Sequence, residues 1–139
     1  MQTEYRELNH SQLMGKGNAG LTESAELAQW AAFAADEKKA REVRILDIRS
    51  ISSVADYFVI CSGTSSTHVR AIADHVEEQL NRKGLPIDHA EGYQNGRWVL
   101  LDFGDLVIHV MQEEERNFYN LERLWGDAVE VAVKAPAAG

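Results

Sequence analysis

Residues 97–111 read RWVLLDFGDLVIHVM, and they decide the fold. Two apolar runs meet at Gly104-Asp105, and a two-residue loop with glycine first suits a type II′ hairpin turn. Pairing Phe103 with Leu106 then fixes the register of both strands. One face carries Val99, Leu101, Phe103, Leu106, Ile108 and Val110, apolar throughout. The other carries Trp98, Leu100, Asp102, Val107, His109 and Met111. A hairpin with one wet face alternates apolar and polar residues, and this one does not. Its second face therefore requires a cover, either a helix of the same chain or another protein. Asp102 and His109 need partners if buried there. As diagonal neighbours they stand within reach of each other. A tryptophan flanked by polar groups is also the composition of an interface anchor.

Working outward, a helix follows the hairpin, with Phe118, Leu121, Leu124 and Trp125 as its apolar side and Glu113, Glu114 and Glu115 where the helix dipole favours anions. After Gly126 the chain is low in complexity, and residues 127–139 read as a frayed tail. Upstream, a short strand is predicted around Ile87–Gly92 and a turn at Asn95-Gly96. Before it, Ser65 or Ser66 caps a helix whose stripe is Val69, Ile72, Val76 and Leu80, stopped at Gly84 with Pro86 beyond. VRILDIRSI and ADYFVICSG read as strands, and a helix starting near Thr22 carries Leu27, Trp30, Ala31 and Ala34 at helical spacing. The polar, glycine-containing residues 1–21 read as a flexible leader. The order α-β-β-α-β-β-β-α predicts an α/β (α+β) fold, a mixed β-sheet packed with helices over residues 22–126.

A chain of 139 residues is long enough to bury a core without disulfides or metal. Its single cysteine, Cys61, excludes an intrachain disulfide or a multi-cysteine zinc site and fits a reducing, cytoplasmic home. No apolar run approaches the roughly 18–20 residues of a membrane span, and the N-terminus lacks the pattern of a secretory signal. Fourteen Lys+Arg against 22 Asp+Glu give a net charge of -8. Such a chain repels nucleic acid unless a basic patch overrides the field, and no run of Lys or Arg provides one. No sequence-specific nucleic-acid partner is expected; a basic protein is.

Sites of chemistry are weakly signalled. Gly63-Thr64-Ser65-Ser66-Thr67 ends a strand and opens a helix, a geometry that offers backbone N–H groups to a phosphate. It has neither the lysine of a P-loop nor the three-glycine dinucleotide fingerprint. Nucleotidyltransferases use a Gly-Ser turn of this kind, followed by two metal-binding carboxylates one residue apart on a strand. Here Asp102 and Asp105 have two residues and a turn between them, so they cannot line one strand face. A capped helix is the plainer reading. His68 and His75 stand seven apart, too far for an i,i+4 metal pair, and His89 with Glu91 has no third ligand suggested. Ser62, Ser65, Ser66 and Cys61 lack a nucleophile elbow. No catalytic, metal or cofactor site is assigned.

ADYFVICSGTSSTHVRAIADHVEEQL (55–80), AEGY (90–93) and RWVLLDFGDLVIHVMQEEERNFYNLERLW (97–125) together resemble the Iojap-related family, called RsfS in bacteria. The resemblance spans about Thr22 to Trp125 and leaves out the leader and the tail. It implies a nucleotidyltransferase-like fold without catalytic residues, often homodimeric. Family members bind the large ribosomal subunit through ribosomal protein uL-fourteen, which blocks joining of the small subunit and represses translation when nutrients are scarce. Organellar relatives act in ribosome assembly. The resemblance places docking at Trp98, Asp102, Phe103, Gly104, Asp105, His109 and Met111, with Trp98 as the anchor, Phe103 exposed at the hairpin tip, and the aspartates pairing with Lys or Arg. A nucleotide-binding enzyme built on residues 63–67 is the alternative from another class.

Overall fold

The computed structural model describes residues 23–134, so the leader expected at 1–21 lies outside the described residues. Helix α1 (Glu23–Glu37) leads into strands β1 (Arg41–Asp47) and β2 (Tyr57–Gly63), then helix α2 (Ser66–Arg82). Strands β3 (His89–Glu91), β4 (Trp98–Asp102) and β5 (Leu106–Gln112) follow, then two short helices, α3 (Glu113–Tyr119) and α4 (Leu121–Leu124), and strand β6 (Val129–Val131). The strands form one sheet in the order β3-β4-β5-β2-β1-β6. Only β2 and β5 run parallel; every other neighbouring pair is antiparallel. The fold is mixed α/β, as the order of patterns predicted.

The hairpin forms with the expected register, Asp102 opposite Val107, Leu100 opposite His109 and Trp98 opposite Met111. Phe103 N–H donates to the Leu106 carbonyl at 2.9 Å, and Gly104 takes φ +96° at the first loop position. That is the left-handed conformation a type II′ turn requires and glycine adopts without strain.

Burial explains why YFVICSG is apolar without a break. β2 is central, flanked by β5 and β1, and all seven of its residues are buried. Both long helices cover the same face. There Ala28, Ala31 and Ala35 of α1 and Val69, Ile72, Val76 and Leu80 of α2 pack with Val59, Val99, Leu101, Leu106, Ile108 and Val110. Alanines along α1 let the two helices lie close together over the strands. The α2 cap is Ser65, whose hydroxyl accepts from His68 N–H at 3.1 Å.

The opposite face is covered thinly. Leu46, Ile48, Phe58, Ile60, Val107 and Met111 lie beneath Leu121 of α4, with Trp125, Ala128, Trp98 and Leu100 at the margins. Among the described residues the cover is therefore intrachain but small, two helices of seven and four residues.

Three expectations need correcting. The last helix is not continuous: Asn120 adopts the left-handed conformation (φ 49°), which ends α3 and shifts the angular phase of α4. The predicted apolar side therefore splits. Leu121 is buried and Trp125 packs edge-on to Phe58 at 5.1 Å, but Phe118 and Leu124 are 79% and 72% exposed. The segment after Gly126 is not frayed at residues 129–131, because β6 pairs with β1 and extends the sheet. Finally, Phe103 is buried in the helix-covered core rather than displayed at the tip; a side chain in register with Leu101 must face the helices.

Candidate functional site

The thinly covered face carries a run of aromatic rings that passes from the interior to solvent. Phe58 of β2 meets the His109 ring edge-on at 4.8 Å between centroids. His109 accepts a hydrogen bond through Nδ1 from the Trp98 indole Nε1–H at 3.1 Å. Trp98 is half-buried and lies against Tyr119, centroids 5.0 Å apart; Tyr119 in turn meets Phe118 at 5.0 Å, nearly perpendicular. Exposure rises along the run: Tyr119 is 51% exposed and Phe118 more so. Leu124 adds a further exposed apolar side chain from α4.

This run stands on a rigid base. Arg116, buried on the inner side of α3, donates through Nη1 to the Ser62 hydroxyl of β2 at 2.9 Å and through Nε to the Glu122 carboxylate of α4 at 3.1 Å. One guanidinium thus pins both short helices to the central strand, with the fork geometry that suits a carboxylate. Burial pushes the Glu122 carboxyl up, but the hydrogen bonds and charge of Arg116 outweigh it and hold the group below the usual carboxylate range.

Burial lowers the His109 pKa to about 4. Tryptophan only donates, so the Nδ1 that accepts from Trp98 carries no proton, and the neutral ring bears its proton on Nε2. That Nε2 is buried and has no hydrogen-bond partner among the described residues. An unsatisfied buried donor costs roughly 1–3 kcal/mol.

The seven residues expected to dock do not form one surface. Trp98 lies at one end of the hairpin, and Asp102, Gly104 and Asp105 lie at the other, about 13 Å along the strand at 3.3 Å per residue. Phe103, His109 and Met111 are buried. Asp102 does not pair with His109: its carboxylate accepts from Gly104 N–H at 2.8 Å and closes the turn. The Asp105 carbonyl accepts from Asp56 and Tyr57 N–H groups, while its side chain is exposed, its carboxyl pushed up by partial burial and by the charge of Asp56. What sequence reasoning missed is Tyr119, the ring that seats Trp98. The usable signal was Asn120, a residue tolerant of left-handed backbone placed just after two aromatics.

Residues 63–67 form a self-satisfied helix start. Thr64 N–H donates to His68 Nδ1 at 2.9 Å, His68 N–H is used by Ser65, and the other His68 nitrogen meets the Lys38 carbonyl at 2.8 Å. The glycine serves packing, since a Cβ on Gly63 would stand 2.9 Å from the Val69 side chain. His75 pairs with Glu37 at 2.8 Å and His89 with Glu91 at 2.7 Å. Among the described residues no three His, Cys, Asp or Glu side chains cluster as a metal would require. Cys61 is buried, which pushes its thiol up to about 12 and leaves it protonated. Nor, among the described residues, is any helix long and apolar enough to cross a membrane.

The site is thus a mixed sheet with both long helices on one face and a graded aromatic run on the other. Residues 21–138 match the family described as "Ribosomal silencing factor during starvation", and the chain belongs to that family. The match runs past Gly126 and so includes β6. A ribosomal silencing factor RsfS from Bacillus subtilis is 49% identical over 70% of this chain and 83% of its own length. "Mitochondrial assembly of ribosomal large subunit protein 1" from Mus musculus is 35% identical over 64% of this chain and 40% of its own. A crystal structure of a Chromobacterium violaceum protein superposes with a TM-score of 0.74 at 32% identity, covering 85% of this chain and 95% of that one.

Proposed function

We propose that this chain is a cytoplasmic translation repressor that binds the large ribosomal subunit through ribosomal protein uL-fourteen and bars the small subunit by occupying its place. Occupancy does the work, with no bond made or broken. The observation that carries this reading is the aromatic run Trp98–Tyr119–Phe118, which passes from a half-buried indole to the largely exposed Phe118 on a face that the long helices leave uncovered. Rigid rings of this kind supply much of the energy at protein interfaces. The net charge of -8 favours encounter with a basic protein set in ribosomal RNA. Asp102 and Asp105, at the far end of the hairpin, form a second proposed contact, separate from the aromatic run, with groups suited to Lys or Arg. A homodimer is part of the proposal, with the free form pairing through its own surface.

Sucrose-gradient sedimentation of purified ribosomal subunits with excess protein tests it. The expected result is cosedimentation with the large subunit and loss of the joined ribosome. Cosedimentation with the small subunit, or unchanged joining, overturns the reading. A second role, in assembly of the large subunit, draws on the name of the mouse relative; finding the protein on precursor rather than mature particles would favour it.

A further inference from the structure

We propose that His109 is a positioning residue for docking: its Nδ1 lone pair holds the Trp98 indole in the orientation a partner meets. The proposal rests on the reading that Trp98 contacts the large subunit. His109 is suited to the task because nothing about it can move independently. Its backbone is fixed on both sides, by Ile60 of β2 and Leu100 of β4. Its ring is fixed by Phe58 edge-on and by the indole itself. The Trp98 ring is then gripped twice, through its N–H from within and by the tilted Tyr119 ring from outside. Without the acceptor, the indole N–H must seek water, and the ring turns out of its seat against Tyr119.

The orphaned Nε2–H gives the second argument. A phenylalanine would fill this apolar pocket and remove the stranded Nε2 donor, leaving only the N–H of the half-buried Trp98 to find water, so histidine is a poor choice for the core alone. The same ring atom arrangement that strands Nε2 supplies the acceptor at Nδ1. Positions where a buried polar group is tolerated without a full set of partners are where function overrides packing.

The test compares three variants by melting temperature and by affinity for purified bacterial large subunits. His109→Phe is expected to melt at or above the wild-type temperature yet bind about tenfold more weakly. His109→Asn places an amide oxygen where Nδ1 stood; it is expected to melt lower, because it leaves a void, yet to keep affinity within about threefold. A purely structural histidine would move both quantities together, so a His109→Phe protein with wild-type affinity overturns the proposal. Trp98→Ala separates the two levels of the argument. If it binds like wild type, the docking reading fails; if it loses binding while His109→Phe does not, only the positioning role fails. Nitrogen NMR of the wild-type imidazole gives a variant-free check: the expected form is protonated on Nε2 alone at neutral pH, and a proton on Nδ1 overturns the proposal.

Discussion

The two faces of this sheet are made by the same strands and differ in what covers them. Under α1 and α2, Val99, Leu101, Ile108 and Val110 meet helices of 15 and 17 residues, and the core there is made chiefly of aliphatic side chains. Across the sheet, Trp98, Leu100, His109 and Met111 meet helices of seven and four residues pinned by one buried guanidinium. The first face has the composition of a packing surface. The second keeps a buried histidine whose N–H has no partner among the described residues and lets three aromatic side chains grade outward to solvent. The fold sets its two long helices on one side and leaves the other, the proposed docking face, thinly covered.

Substitutions on the two faces should therefore separate unfolding from binding. The largest effect is expected from Ile108→Ala on the helix-covered face, which leaves a cavity and lowers stability by about 3–4 kcal/mol in urea denaturation. Equal stability of that variant would mean the helix-covered core is loosely packed.

Acid should act through the other face. The His109 pKa is lowered from 6.5 to about 4, so the unfolded chain takes up the proton first. Its contribution is fully present above pH 6.5 and declines as pH falls toward 4, by about 3 kcal/mol in total. His109→Phe should remove that part of the slope, read from denaturation curves at successive pH values.

Trp98→Ala comes next, expected to weaken large-subunit binding by about 2 kcal/mol or more, roughly thirtyfold, while remaining folded by circular dichroism. Wild-type affinity would move docking to another surface. The smallest effect on stability is expected from Phe118→Ser, within about 0.5 kcal/mol, because its ring is largely in water already. Its affinity should nevertheless fall, and a change in melting temperature without a change in binding would reassign Phe118 to packing.

The hairpin was legible because two independent signals agreed, a glycine-first turn and an alternation that places Val99, Leu101, Ile108 and Val110 on one side. The same reasoning marked the second face as requiring a cover. It did not reach the cover's form. Helical spacing treats Phe118, Leu121, Leu124 and Trp125 as one stripe, and only the left-handed Asn120 breaks the phase. Strand β6 was hidden for a different reason: Val129 and Val131 alternate over three residues, too few to stand out, and gain strand character only from pairing with β1. The site was half legible. Trp98 was readable as a candidate from its residue type, whereas its neighbours Tyr119 and Phe118 come from a helix whose orientation depends on Arg116 reaching Ser62, a contact 54 residues apart in the chain.

The parallel pairing at the centre of the sheet carries a temporal consequence. β2 cannot find its inner neighbour until β5 exists, since Tyr57 aligns with Leu106, and contacts of such sequence separation form slowly. A nascent chain emerging from the exit tunnel therefore displays the apolar run YFVICSG with one side unpaired through the synthesis of α2, β3 and β4. Chaperone dependence should be greatest in that interval and end when the β4–β5 hairpin, local and quick to close, swings in to complete the centre.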